Sequence, residues 1–253
     1  HDFRVAIRRA RSLISLFKKT LPAKKLDSLR RDFRLLSEAT NPLRDLDVQL
    51  LRRPLYHKLL PASLHPGLEK LLKAIARERQ KEYLRFVRVL NGAAYQRIKK
   101  QWLLSLEQDK TEWASRPTGR LPIRQGVAKL VWKKFDHLQK MKKEDWRNAD
   151  DEALHRMRIE TKKLRYLLEF FSSLFPQPAM TPLLEQLRRV QDHLGHLNDL
   201  AVQQVKLLDH LQKSSPLLRH PQTIAAIGAL VAVLHQEQEQ WKNALATTME
   251  PLD

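Results

Sequence analysis

The chain has 253 residues, no cysteine, and 47 lysines plus arginines against 28 aspartates plus glutamates, a formal charge of +19. Disulfides, thiolate zinc sites and cysteine nucleophiles are thereby excluded. The charge calls for a polyanionic partner, whether nucleic acid, an anionic membrane or an inorganic phosphate polymer.

Only six glycines and many leucines at spacings of three and four predict an all-α chain, with no strand. Proline clusters at Pro22, Pro54 to Pro66, Pro117 to Pro122, Pro176 to Pro182 and Pro216 to Pro221 mark the breaks. The expected helices run over about 2–20, 25–52, 66–113, 122–143, 150–174, 181–213 and 220–248, the third bending or breaking near Gly92. The longest apolar run, Ile224 to Leu234, reaches only about half of the roughly 20 residues a bilayer crossing needs, so it predicts a core helix and no membrane span. No signal or transit peptide is visible, and a cytoplasmic location is expected.

Self-similarity is the strongest signal in the chain. Placed 154 residues apart, HDFRVAIRRARSLISLF from His1 lies over HRMRIETKKLRYLLEFF from His155 without a gap. Arg4 then meets Arg158, Arg8 meets Lys162, Arg11 meets Arg165 and Phe17 meets Phe171. The same offset sets Pro22 on Pro176, Arg34 on Arg188, and LRDLDVQ from Leu43 on LNDLAVQ from Leu197. The His-Pro pair at His65 returns one residue out of register at His220, each opening a helix. The chain is therefore read as a duplicated helical unit, 1–115 and 116–253, joined through WASRPTGRLPIRQG from Trp113.

At about 100° per residue, His155, Arg158, Lys162 and Arg165 share an arc of roughly 80° beside an apolar stripe of Met157, Leu164, Leu167, Leu168 and Phe171. Like charges three and four residues apart repel unless an anion or a carboxylate answers them. Recurrence of this spacing in both halves argues for a shared ligand rather than a merely solvated face.

These segments, with LGHLNDLAV from Leu194, resemble the CHAD domain, the conserved histidine α-helical domain, over nearly the whole chain. The resemblance implies two pseudo-symmetric helical bundles around a basic central groove that binds inorganic polyphosphate. It also implies that His1, Arg4, Arg8, Arg9 and Arg11 from the first unit and His155, Arg158, Lys162, Lys163 and Arg165 from the second line that groove, with Arg34 and Arg188 as additions. Association with polyphosphate granules follows from that ligand. The first unit departs from the family in TNPLRD, where Asn41 stands in place of a glycine, and Asn is expected there to tolerate a left-handed backbone.

The competing readings are weaker. His193, His196 and Asp199 could offer metal ligands, but a polar helix end explains them, and no metal or other cofactor is expected. Asp45 and Asp199 are read as answering arginines of a neighbouring helix. The Trp and Phe residues are read as core. Nucleic acid is the alternative partner, although the basic stripes carry little aromatic interleaving for base stacking. Without a Gly-rich phosphate loop, an HExxH, a GxSxG or an evident device to activate water, the expectation is a non-catalytic binding module.

Overall fold

The structure, a computed structural model, describes residues 2–16, 23–107, 122–142, 149–212 and 220–249. Every regular element among them is helical: α1 (Asp2–Leu16), α2 (Ala23–Leu51), α3 (Arg53–Leu59), α4 (His65–Asn91), α5 (Ala93–Glu107), α6 (Ile123–Lys142), α7 (Asp151–Phe170), α8 (Gln177–Gln212) and α9 (Pro221–Met249). Single 3-10 turns lie at Ala62–Leu64 and Ser172–Leu174. None of the helices is long and apolar enough to cross a membrane.

The expected boundaries that fall on described residues hold to within a few residues apart from two exceptions, and the expected ends at 20, 113, 143 and 213 lie outside the described residues. The long helix breaks at Gly92, between α4 and α5, as its glycine suggested. Residues 53–59, read as part of a broken stretch, form α3, because Pro54 falls in the first turn, where its missing N–H has no intrahelical partner to lose. For the same reason α8 starts at Gln177 rather than 181, absorbing Pro178 in its first turn and continuing through Pro182. At the start of α7, Asp150 caps the helix by accepting from the Ala153 backbone N–H at 2.7 Å, and Asp151 and Glu152 place negative charge on the first turn.

The chain forms two compact units. Unit 1 comprises 1–42, 84–141 and 160–187; unit 2 comprises 43–83, 142–159 and 188–253. Each unit draws on both sequence repeats, and the boundaries fall inside α2, α4, α7 and α8.

Two apolar clusters lie among the described residues of unit 1. Ile7, Phe33, Leu36 and Ile98 pack with Phe3, Leu29 and Tyr95. Leu16 of α1, Val127 of α6 and Leu167 of α7 pack with Leu130, Phe171 and Phe175. In unit 2, Leu46 and Leu200 join Tyr56, Leu68, Leu71, Ile75, Ile227, Leu230 and Leu234 in a larger cluster. Gly67 is required there by close approach, since a Cβ on it would stand 2.0 Å from the Gln222 carbonyl oxygen.

Within unit 2 the 154-residue offset reappears as exchanged contacts. Tyr56 donates to Gln203 at 3.0 Å, and His210, the residue 154 after Tyr56, meets Gln49, the residue 154 before Gln203, at 2.9 Å. Likewise Arg52 meets Asp199 at 3.5 Å while Lys206 meets Asp45 at 3.8 Å. A bond from the first repeat to the second is thus answered by its equivalent from the second to the first.

Candidate functional site: two basic helices

In unit 1 the helix of the first basic motif packs against the later part of the helix that carries the second. Leu16 on α1 and Leu167 on α7 share an apolar cluster, and the Arg9 guanidinium lies over the Phe170 ring, 5.0 Å from its centroid. The cationic rows of α1 and the later part of α7 therefore belong to neighbouring helices. On α1 burying the apolar face leaves Arg8, Arg9 and Arg11 exposed, whereas Lys162, Lys163 and Arg165 of α7 are half-buried.

The partners of these cations differ between the repeats. On α1, Arg4 Nη1 donates to Thr40 Oγ1 and, at 3.0 Å, to Asn41 Oδ1, while Arg11 donates to the Ser37 hydroxyl at 2.9 Å. These hydroxyl and amide acceptors orient the guanidinium groups and carry no charge of their own. On α7, Lys163 and Lys134 of α6 both reach Glu160 at 2.6 Å, and Arg165 reaches Glu169 at 3.2 Å. Burial raises the Glu160 pKa, but the hydrogen bonds and charges of Lys134 and Lys163 outweigh it, so the carboxyl sits below its ordinary range and stays ionised. Arg34 on α2 is paired with Glu38 at 2.8 Å in a fully exposed contact that raises its pKa, through the hydrogen bond first and the charge second. Lys162 is half-buried on α7.

Three of the expected site residues lie in unit 2. His155 is exposed, and its Nδ1 is 2.6 Å from Asn198 Oδ1. An amide oxygen only accepts, so Nδ1 is the donor in this bond. Arg158 is half-buried, and Arg188 is exposed on α8. His1 lies outside the described residues.

The contrast between Asn41 and Gly195 has a cause other than the expected one. Neither position needs a left-handed backbone, for both lie within continuous helices and no described residue has positive φ. The difference is what stands beside each: Asn41 supplies an oxygen to Arg4, whereas a Cβ on Gly195 would already lie 3.9 Å from Arg158 Nε. Asparagine in one repeat thus holds its arginine by a hydrogen bond, whereas a Cβ at the glycine of the other would only reach ordinary van der Waals contact with the arginine there.

Other expectations are changed by the packing. His193 and His196 sit in the middle of α8, not at a polar helix end. His193 Nε2 bonds the Trp241 carbonyl at 2.8 Å, and burial, the leading effect, lowers its pKa; His196 meets Glu237 at 2.8 Å. Among the described residues no three His, Asp or Glu side chains converge as a metal site would require. Asp199 does answer an arginine, Arg52, while Asp45 answers Lys206 and Arg44. The aromatic residues are not uniformly core: Trp132 is 71% exposed on α6, stacked on Phe135. The neutral acceptors Thr40 and Asn198 were not singled out from the sequence, although Asn198 lies within the aligned LNDLAVQ segment and Thr40 lies three residues before the LRDLDVQ segment, and Asn41 was noted for its backbone rather than its side chain.

An all-helical domain that carries a recurrent basic motif on two of its helices is the class of protein this geometry defines. The profile of the CHAD domain matches residues 1–208, and the chain belongs to that family. Two solved structures share the fold. A CHAD domain from the plant Ricinus communis is 24% identical with a TM-score of 0.72, covering 98% of this chain and 79% of that one. PptA from Streptomyces chartreusis is 14% identical with a TM-score of 0.74, covering 98% and 87%. No curated protein matches this sequence.

Proposed function

We propose that this chain binds inorganic polyphosphate without chemically altering it. The observation that supports the reading is the packing of α1, which carries Arg4, Arg8, Arg9 and Arg11, against α7, which carries Lys162, Lys163 and Arg165, in unit 1. A flexible chain of phosphates has no base to be read, so guanidinium forks and ammonium groups at helical spacing suffice to hold it, with counterion release supplying much of the affinity. Membership of the CHAD family and the net charge of +19 support the same ligand. His155, Arg158 and Arg188 of unit 2, together with His1 and Arg34, are assigned to binding on the family resemblance. Such a protein would act in the cytoplasm at polyphosphate granules.

The test is a competition at moderate salt between long-chain polyphosphate and single-stranded or duplex nucleic acid. Preference for polyphosphate is the expected result, and preference for nucleic acid would replace the proposal with a nucleic-acid binding module. Release of orthophosphate by the purified protein, lost on Arg158→Ala, would refute the non-catalytic part.

A further inference from the structure

Aromatic interleaving, scarce on the basic stripes of α1 and α7, occurs on α6. Trp132 is 71% exposed there, with Phe135 against it at 5.9 Å between ring centroids and 23° between ring planes. At about 100° per residue, the buried Val127 and Leu138 lie about 140° and about 120° around the helix from Trp132. Lys134, about 160° away, is turned towards α7, where it holds Glu160. Trp132 therefore occupies the solvent side of α6. Lys129, Trp132, Lys133, Phe135 and Asp136 line one open groove on that side. Lys129 and Lys133 are exposed and form no ion pair among the described residues, whereas Asp136, the acid of the groove, is paired with Lys140 at 2.7 Å.

We propose that this side of α6 is a stacking platform for single-stranded nucleic acid, on which an unpaired base lies against the Trp132 indole while the phosphates beside it meet Lys129 and Lys133. The platform is separate from the polyphosphate face and does not rest on that reading. Every base has a π face, so stacking tolerates any sequence, but it needs a base that is not already stacked in a duplex. The groove is too open to enclose a free nucleotide, which favours a strand whose further phosphates are attracted by a chain of charge +19. Polyphosphate has nothing to stack. A second copy of the chain is a poor occupant, because an isologous contact would bring Lys129 and Lys133 up to the same lysines of that copy. A lipid surface is a poor one too, since an interfacial helix presents a long apolar face and this groove offers one indole and one phenyl ring.

The experiment follows fluorescence anisotropy of labelled oligo-deoxythymidine of about 12 nucleotides, an abasic strand of the same length and the corresponding duplex, over a series of salt concentrations, with long-chain polyphosphate measured alongside. The wild-type protein should bind oligo-deoxythymidine about five- to tenfold more tightly than the abasic strand, the low end of what one stacked base contributes. Trp132→Ala should remove that preference and leave polyphosphate affinity unchanged, and Trp132→Phe, with a smaller ring, should retain part of it. Replacing Lys129 and Lys133 together by alanine should flatten the salt slope for oligo-deoxythymidine by about 1.4 and keep the preference for bases. Equal wild-type affinity for the base-bearing and abasic strands would overturn the proposal, because every contact would then be to phosphate. Duplex bound as tightly as the single strand, a preference that survives in Trp132→Ala, or an equal loss for DNA and polyphosphate in that variant would overturn it as well. Circular dichroism checks that the variants are helical; if Trp132→Ala does not fold, an undiminished preference in Trp132→Phe sinks the idea.

Discussion

Replacing Arg8 and Arg11 together by alanine isolates the electrostatic contribution of α1. Both side chains are exposed, Arg8 forms no ion pair among the described residues, and Arg11 makes one exposed hydrogen bond to Ser37. Alanine is the better helix former, and substitutions at such sites change stability by no more than about 0.5 kcal/mol, so the fold should persist. For a flexible single-chain polyanion each neutralised phosphate contributes about 0.7 to the slope of log affinity against log salt, and two lost arginines should flatten that slope by about 1.4. Between about 50 and about 200 mM salt, the wild-type protein should therefore lose roughly sevenfold more polyphosphate affinity than the variant. Fluorescence anisotropy of end-labelled polyphosphate, titrated at four or more salt concentrations, reads the slope directly, with circular dichroism as the control for helicity. Parallel lines for the two proteins at unchanged helicity would mean that the α1 row does not touch the ligand.

Gly67→Ala should destabilise unit 2 by about 3 kcal/mol, because the added methyl meets a backbone carbonyl at 2.0 Å that cannot rotate away; an unchanged urea midpoint would refute that packing. The Tyr56 phenol, buried and hydrogen-bonded to Gln203, has its pKa pushed up to about 12 by burial, with Arg52 acting in the opposite direction. A folded-state pKa above the unfolded value of about 10 favours the native state at lower pH, and that contribution fades as pH rises from about 10 through 12. Absorbance titration should show one of the four tyrosines ionising well after the others, and Tyr56→Phe should remove that late step.

The repeat was legible because it is a one-dimensional fact: cations at intervals of three, four and three residues beside an apolar stripe, with the same residues 154 positions on. The exchanged bonds Tyr56 to Gln203 and His210 to Gln49 are its three-dimensional consequence, yet only Gln49 and Gln203 stood out in the alignment. Tyr56 and His210 share no chemistry beyond a polar hydrogen on an aromatic ring, so similarity of residue type could not have paired them. Asn41 was misread for a related reason. A glycine aligned with an asparagine suggests backbone strain, whereas here both positions are helical and the asparagine serves as a hydrogen-bond acceptor for an arginine of another helix.

Helix content, the absence of thiol chemistry, the net positive charge and the two basic stripes follow from the sequence alone, since each depends on composition or on periodicity within one helix. Tertiary structure decided that α1 lies against α7, that both units draw on both repeats, and that Glu160 and Glu169 hold α7 cations while α1 has no such acids. Coulomb and hydrogen-bond energies act through space, across chain separations that no local pattern of residues encodes.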